Sequence, residues 1–229
     1  MTDTSGCTVV FGGTGNVGWG VATALLASGA RVVTPTRSAE RGQALAASLG
    51  GAPNHHIAVG DPSTLDGANA LARSIERAHG PIQHVVASMG PWWQGGAVVE
   101  QPESEYRQVM SASLDCHVFT AQAFLPLLRA RAGSTYTVIT GAGANMEIPG
   151  TGLLVIAVSG VLALSRMLRA EHQPDAVRVN EVMIMTRVER EPRPGVVPAA
   201  DFGQAVRRLH SATTSGAQLE FASLDSFTT

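Results

Sequence analysis

The stretch with the clearest chemical meaning is FGGTGNVGWG, Phe11 to Gly20. Gly12, Gly15 and Gly18 recur at every third position, and Gly13 and Gly20 add freedom beside them. A glycine run between an apolar strand and an Ala-rich helix lets a pyrophosphate reach backbone N–H groups, with the positive end of the helix dipole behind them. The expected cradle is Gly12, Gly13, Thr14, Gly15, Asn16, Val17 and Gly18, joined by Gly90 after a later strand. A tight turn without a ligand is the competing explanation. The second strand ends in TPTRS, where an acid would hold the ribose hydroxyls of an adenosine. Thr36 is neutral and Arg37 follows it. A guanidinium there pairs with a 2′-phosphate, which favours NADP over NAD; a solvated cation is the alternative for Arg37, and an empty site with no cofactor stays open. Asp61, after the third strand, is expected beside the adenine or as a helix cap.

Acid–base chemistry has few candidates. The chain has no lysine, because all 16 residues of the Lys+Arg count are arginines. His117 lies one helical turn after Ser113, Thr140 ends a strand, and Glu147 sits in the following loop. His117, Glu147, Thr140 and Ser113 are therefore the candidate catalytic groups, with structural or exposed roles as the alternative. A pocket at the carboxyl ends of the strands should be lined by Ser88, Met89, Trp92, Trp93, Asn145, Met146 and Leu154. The two tryptophans beside Pro91 offer a wall for a flat or apolar ligand, unless they are ordinary loop packing. No Cys/His spacing points to a metal, and Cys7 and Cys116 are expected as reduced core residues.

These residues need a frame. Short apolar runs at 7–11, 31–34, 56–59, 84–88, 136–140, 178–184 and 218–222 alternate with helical patterns at 17–27, 39–49, 63–79, 104–131, 152–171 and 200–211. That alternation predicts one α/β domain over residues 1–229. It is Rossmann-like, with a doubly wound, parallel seven-stranded sheet and helices on both faces. The segment RVEREPRPGVVP, Arg187 to Pro198, is expected as a loop over the site or a plain surface loop.

Composition narrows the partners. A formal net charge of −2 gives no electrostatic footprint for nucleic acid or anionic lipid. The start, MTDTSG, lacks an apolar signal core, and the apolar run Leu153 to Leu168 is broken by Ser159, Gly160, Ser165 and Arg166. A cytoplasmic protein with no membrane span is expected. With 45% hydrophobic and 15% charged residues, part of the surface should be covered by another subunit.

The order of these motifs resembles the short-chain dehydrogenase/reductase family. The glycine turn is similar to TGxxxGxG, with Phe11 in the Thr place and Asn16 in the second Gly place. GPIQHVVASMG resembles the fourth-strand segment ending NNAG, and AQAFLPLL resembles TQAxLPxM. SGVLALSRMLRAE resembles the helix after YxASK, RVNEV resembles RVNxI, and GAQLEF resembles the last strand. The resemblance implies a nicotinamide cofactor, a small-molecule substrate, and a homodimer or homotetramer built on the helices at 104–131 and 152–171. It also implies a Ser-Tyr-Lys mechanism that this chain cannot run. Leu154 falls in the Tyr place, Val158 in the Lys place, Gly141 in the Ser place and Ser113 in the Asn place. Leu and Val transfer no protons. Three functions remain: a divergent NADP(H)-dependent oxidoreductase, which adds hydride most easily to an activated C=C; a non-redox cyclase, dehydratase or isomerase; or a non-catalytic cofactor-binding subunit or sensor.

Overall fold

The computed structural model describes residues 6–145, 147–172 and 177–222. The strands are β1 (Cys7–Phe11), β2 (Arg31–Thr36), β3 (His55–Val59), β4 (Ile82–Ala87), β5 (Thr135–Gly141), β6 (Arg178–Ile184), β7 (Arg187–Glu189), β8 (Val196–Pro198) and β9 (Gln218–Phe221). The helices are α1 (Asn16–Ala27), α2 (Ala39–Ser48), α3 (Leu65–His79), α4 (Glu103–Met110), α5 (Cys116–Arg129), α6 (Gly152–Glu171) and α7 (Ala199–Ser211). Seven strands form a parallel sheet in the order β3-β2-β1-β4-β5-β6-β9. The expected doubly wound Rossmann-like domain is present.

Burial on both faces explains the continuously apolar strands. On one face Leu71 and Ile75 of α3, Phe124 and Leu128 of α5 and Val161 and Leu168 of α6 pack on Val9, Val85, Tyr136 and Val179. On the other, Val21 and Leu25 of α1 and Phe202, Val206 and Leu209 of α7 pack on Val10, Val86 and Val182. The strand order reverses between β1 and β4, so the loops leaving them part and open a crevice at their carboxyl ends.

The helix expected at 104–131 is present as one helical path, in which a π-helical turn, Ser111–Asp115, joins α4 and α5. Such a turn inserts residues without breaking the helical path, and here it presents Ser113 to the crevice side. The segment Arg187–Pro198 is not a plain loop. Val188 pairs with Val197 in a small parallel ladder of β7 and β8, while Pro192 and Pro194 stay in the connection between them. Proline there removes no ladder hydrogen bond.

Among the described residues, α6 is the one helix long and apolar enough to cross a membrane, with mean hydropathy 1.8 over its window. Here it lies beside the sheet: Leu154, Ala157, Val161, Ser165 and Leu168, spaced three or four apart, form its buried stripe.

Candidate functional site

Two cavities meet at the crevice. The first, about 300 Å³, is a cleft lined by Gly12, Thr14, Gly15, Thr36, Arg37, Arg41, Asp61 and Gly90, among others. The second, about 580 Å³, is lined by Val17, Trp92, Ser113, His117, Thr140, Leu154, Val158, Ile184 and Met185, among others. Ser88, Met89, Gly90 and Pro91 belong to both linings, so the segment after β4 is their common wall.

The cleft has the features a dinucleotide pyrophosphate needs. Gly12 has φ 74°, and a Cβ there would lie 1.7 Å from the Ser88 carbonyl oxygen. No side chain caps the N-terminus of α1, where Gly15 is the N-cap, and no acid sits in its first turn. Its free N–H groups and dipole thus face the cleft as an anion site. Arg37 and Arg41 line the same cleft at the end of β2. Asp61 accepts from the Ser63 backbone N–H at 3.0 Å, while Thr64 caps α3, so Asp61 is not the helix cap.

Not all of the expected cradle faces the ligand side. Gly13 packs toward Thr34 and Leu45, where a Cβ would lie 2.4 Å from the Thr34 methyl. Gly18 packs against the Gly12 backbone, at 2.4 Å for the same construction. Asn16 turns to the β7 segment, donating from Nδ2 to the Val188 carbonyl at 3.3 Å. Val17 lines the second cavity instead of the cleft.

The polar side chains of the second cavity are Ser88, Ser113, His117, Thr140, Thr186 and Arg187, the last paired with Glu189. His117 is 1% exposed. Its Nε2 donates to the Met89 carbonyl at 3.2 Å, which leaves Nδ1 as a bare lone pair with no partner among the described residues. Burial pushes the ring from 6.5 down to about 4, against the smaller opposing pull of that carbonyl, so it is neutral at pH 7. The Thr140 hydroxyl donates to Glu181 at 3.1 Å, and Glu181 pairs with Arg169 at 3.4 Å. Both groups therefore present acceptors, and neither protonates a ligand carbonyl. Ser88 and Ser113 line the cavity, and neither hydroxyl has a hydrogen-bond partner among the described residues. Cys116, at the cleft, has its thiol raised by burial to about 12 and donates to the Ala112 and Ser113 carbonyls, so it is no nucleophile.

Several expected residues lie elsewhere. Trp93 is turned away, its Nε1 donating to Glu105 of α4 at 3.2 Å, and lines neither cavity. Asn145 and Glu147 are exposed and line neither. Met146 lies outside the described residues. Trp92, 60% exposed, does reach the second cavity, as do Leu154 and Val158. Sequence reasoning missed Glu181, Arg41 and Arg190. An acid inside the buried strand RVNEV was a legible signal for Glu181, and Arg41 lies in the first turn of α2, four positions after Arg37. Arg190 had none, because nothing local places it near Thr14.

A crevice at the strand-order reversal, with a glycine turn at a helix N-terminus, is the arrangement of the Rossmann-like α/β class. A family model described as "Enoyl-(Acyl carrier protein) reductase" matches residues 13–216. The chain belongs to the short-chain dehydrogenase/reductase family. It is 24% identical over 178 residues to dehydrogenase/reductase SDR family member 4 of Sus scrofa, covering 75% of this chain and 62% of the relative. It is 28% identical over 179 residues to the rhamnolipids biosynthesis 3-oxoacyl-[acyl-carrier-protein] reductase of Pseudomonas aeruginosa, covering 76% and 70%. The match thus spans less than two thirds of the first of these relatives. Among solved structures, a short-chain oxidoreductase of P. aeruginosa with bound NADPH, described as containing an atypical catalytic center, has TM-score 0.79 at 23% identity, covering 95% of each chain. An alcohol dehydrogenase of Thermococcus sibiricus complexed with 5-hydroxy-NADP has TM-score 0.81 at 21% identity, covering 94% and 95%. At these identities the structural likeness shows the fold alone.

Proposed function

We propose that this chain is an NADP(H)-dependent oxidoreductase-family enzyme in which no side chain protonates the substrate oxygen. The observation that carries this is the shared Ser88–Pro91 wall, which puts an apolar chamber directly beside the phosphate cleft. When bound, the cofactor supplies or accepts a hydride. Gly12, Thr14, Gly15 and the N-terminus of α1 hold the pyrophosphate, and Arg37 selects NADP over NAD. Asp61 borders the adenine, and Val17, Ile184 and Met185 border the nicotinamide. Leu154 and Val158 exclude water where the family places its Tyr and Lys. The Ser88 and Ser113 hydroxyls orient the polar end of an apolar small molecule, beside the acceptors on His117 and Thr140. His117 acts here as a neutral acceptor, and the exposed Glu147 takes no part.

The substrate class that fits is a conjugated C=C. Hydride addition there leaves a charge spread over the conjugated system, with the proton taken from water, so the lack of a side-chain acid costs least. The description of the matching family model, an enoyl reductase, supports this.

The test is calorimetric titration with NADP+ and NAD+, followed by NADPH oxidation with unsaturated and saturated ketones. Expected are tighter binding of NADP+ and turnover of the unsaturated compounds alone. Binding of neither nucleotide, or equal turnover of saturated ketones, overturns the proposal. We also infer a cytoplasmic homodimer or homotetramer joined through α5 and α6, since Ile156 and Met167 of α6 are about half exposed, at 47% and 49%. A monomer by light scattering at micromolar concentration contradicts the assembly.

A further inference from the structure

The segment Arg187–Pro198 is strapped onto the glycine turn at two points. Asn16 holds the Val188 carbonyl at 3.3 Å, and Arg190 Nη2 donates to the Thr14 carbonyl at 2.9 Å. The Arg190 guanidinium also lies over the Trp19 ring, 5.0 Å from its centroid. Between strap and α2 is a notch of about 410 Å³ lined by Thr14, Arg41, Ala44, Leu45, Ser48 and Arg190. Thr14 and Arg41 line both this notch and the cofactor cleft, so the two are neighbouring parts of one concavity.

The charge in that concavity is unbalanced. Arg37 and Arg41 line the cleft, Arg41 and Arg190 line the notch, and none of the three forms a salt bridge among the described residues. The strap's own acids do not neutralise them. Glu189 is taken up by Arg187 and Arg193, and Glu191 is exposed. Arg190 Nε is buried without a partner, so this side chain holds an unused donor while its Nη2 is pinned to the turn. Three guanidinium groups beside a phosphate cradle recognise a phosphate monoester, whose three terminal oxygens accept charge-assisted hydrogen bonds from several directions.

We propose that Arg190 of the strap and Arg41 of α2 complete, with Arg37, the site for the 2′-phosphate of NADP(H). The strap then selects the cofactor as well as covering it; this rests on the cofactor assignment made above. Closure and phosphate binding are one event, because Arg190 reaches the site only while β7 is tied to Thr14 and Asn16.

The experiment uses 2′,5′-ADP and 5′-ADP, which differ by that phosphate alone. Wild-type protein should bind 2′,5′-ADP more tightly, and R190Q and R41Q should each weaken 2′,5′-ADP by about tenfold with 5′-ADP unchanged, the loss of one charge-assisted contact. R41Q covers the case in which R190Q does not fold, since Arg41 is exposed on α2. Tryptic cleavage in the strap should slow with 2′,5′-ADP and not with 5′-ADP. Unchanged 2′,5′-ADP affinity in the folded variants, or equal strap protection by both ligands, overturns this inference and leaves the cofactor assignment standing. Failure of wild-type protein to bind either ligand overturns the cofactor assignment itself.

Discussion

Leu154 and Val158 stand one helical turn apart on α6, and both border the second cavity. Their side chains fill the positions where the family resemblance places a phenol and an ammonium. His117 Nε2–H and the Thr140 hydroxyl are no substitute, because both are already committed to protein acceptors, and the Ser88 and Ser113 hydroxyls are far weaker acids than a phenol. Introducing G141S, L154Y and V158K together should therefore raise saturated-ketone reduction by about a hundredfold, the usual worth of a placed general acid. A Cβ at Gly141 meets nothing closer than 3.9 Å, so the serine fits. NADPH oxidation against a saturated ketone measures it. A folded, NADP-binding triple variant without that gain points instead to Ile184 and Met185, which line the same cavity.

At the scale of elements, the packing of α1 on α7 fixes the cofactor turn. A Cβ on Gly20 would lie 1.9 Å from the Ala199 carbonyl oxygen, and one on Gly203 would lie 2.0 Å from the Gly20 carbonyl oxygen. The two backbones approach so closely that only glycine fits at either position. Gly20→Ala should lower stability by about 1–3 kcal/mol, an overpacking cost, read as a lower urea midpoint. Because α1 carries the cradle at its N-terminus, the same variant should weaken NADP+ binding without any change in ligand contacts. The π-helical turn between α4 and α5 has a similar positional role, since Ser111 and Ala112 border the cleft while Ser113 borders the chamber.

For the whole molecule, buried histidines set the acid response. Burial pushes His84 and His117 from 6.5 to about 4, and His210, stacked on His84 at 4.5 Å, lies well below its ordinary value. Arg178, which donates to the Leu209, His210 and Gly133 carbonyls, adds like charge beside His84 and His210. Between pH 6.5 and 4 the unfolded chain binds the His84 and His117 protons and the folded chain does not, and His210 acts in the same direction. Stability is therefore fully present above 6.5 and lost as pH falls through that window, by up to about 1.4 kcal/mol per pH unit for each of His84 and His117. Urea unfolding at pH 7, 6 and 5 measures the slope. His210→Leu should flatten it, because both ring nitrogens of His210 are buried without partners and leucine has none to protonate. An unchanged slope in that variant removes His210 from the account.

The sequence by itself determined what local chemistry encodes. Apolar runs with helical spacing between them specified seven parallel strands. The glycine spacing marked the turn that opens α1, and the absence of lysine leaves the family's Tyr-Lys pair without its cation. It could not specify which way a side chain turns once several elements compete for it. Trp93 and Trp92 are adjacent, yet Glu105 of α4 draws one away while the other stays at the chamber. Asn16 belongs to the glycine turn in sequence and to the strap in space, and Arg190 reaches Thr14 across 176 positions of chain. Local propensity carries no information about such distant hydrogen bonds, which exist only where tertiary packing lays the β7 segment against α1.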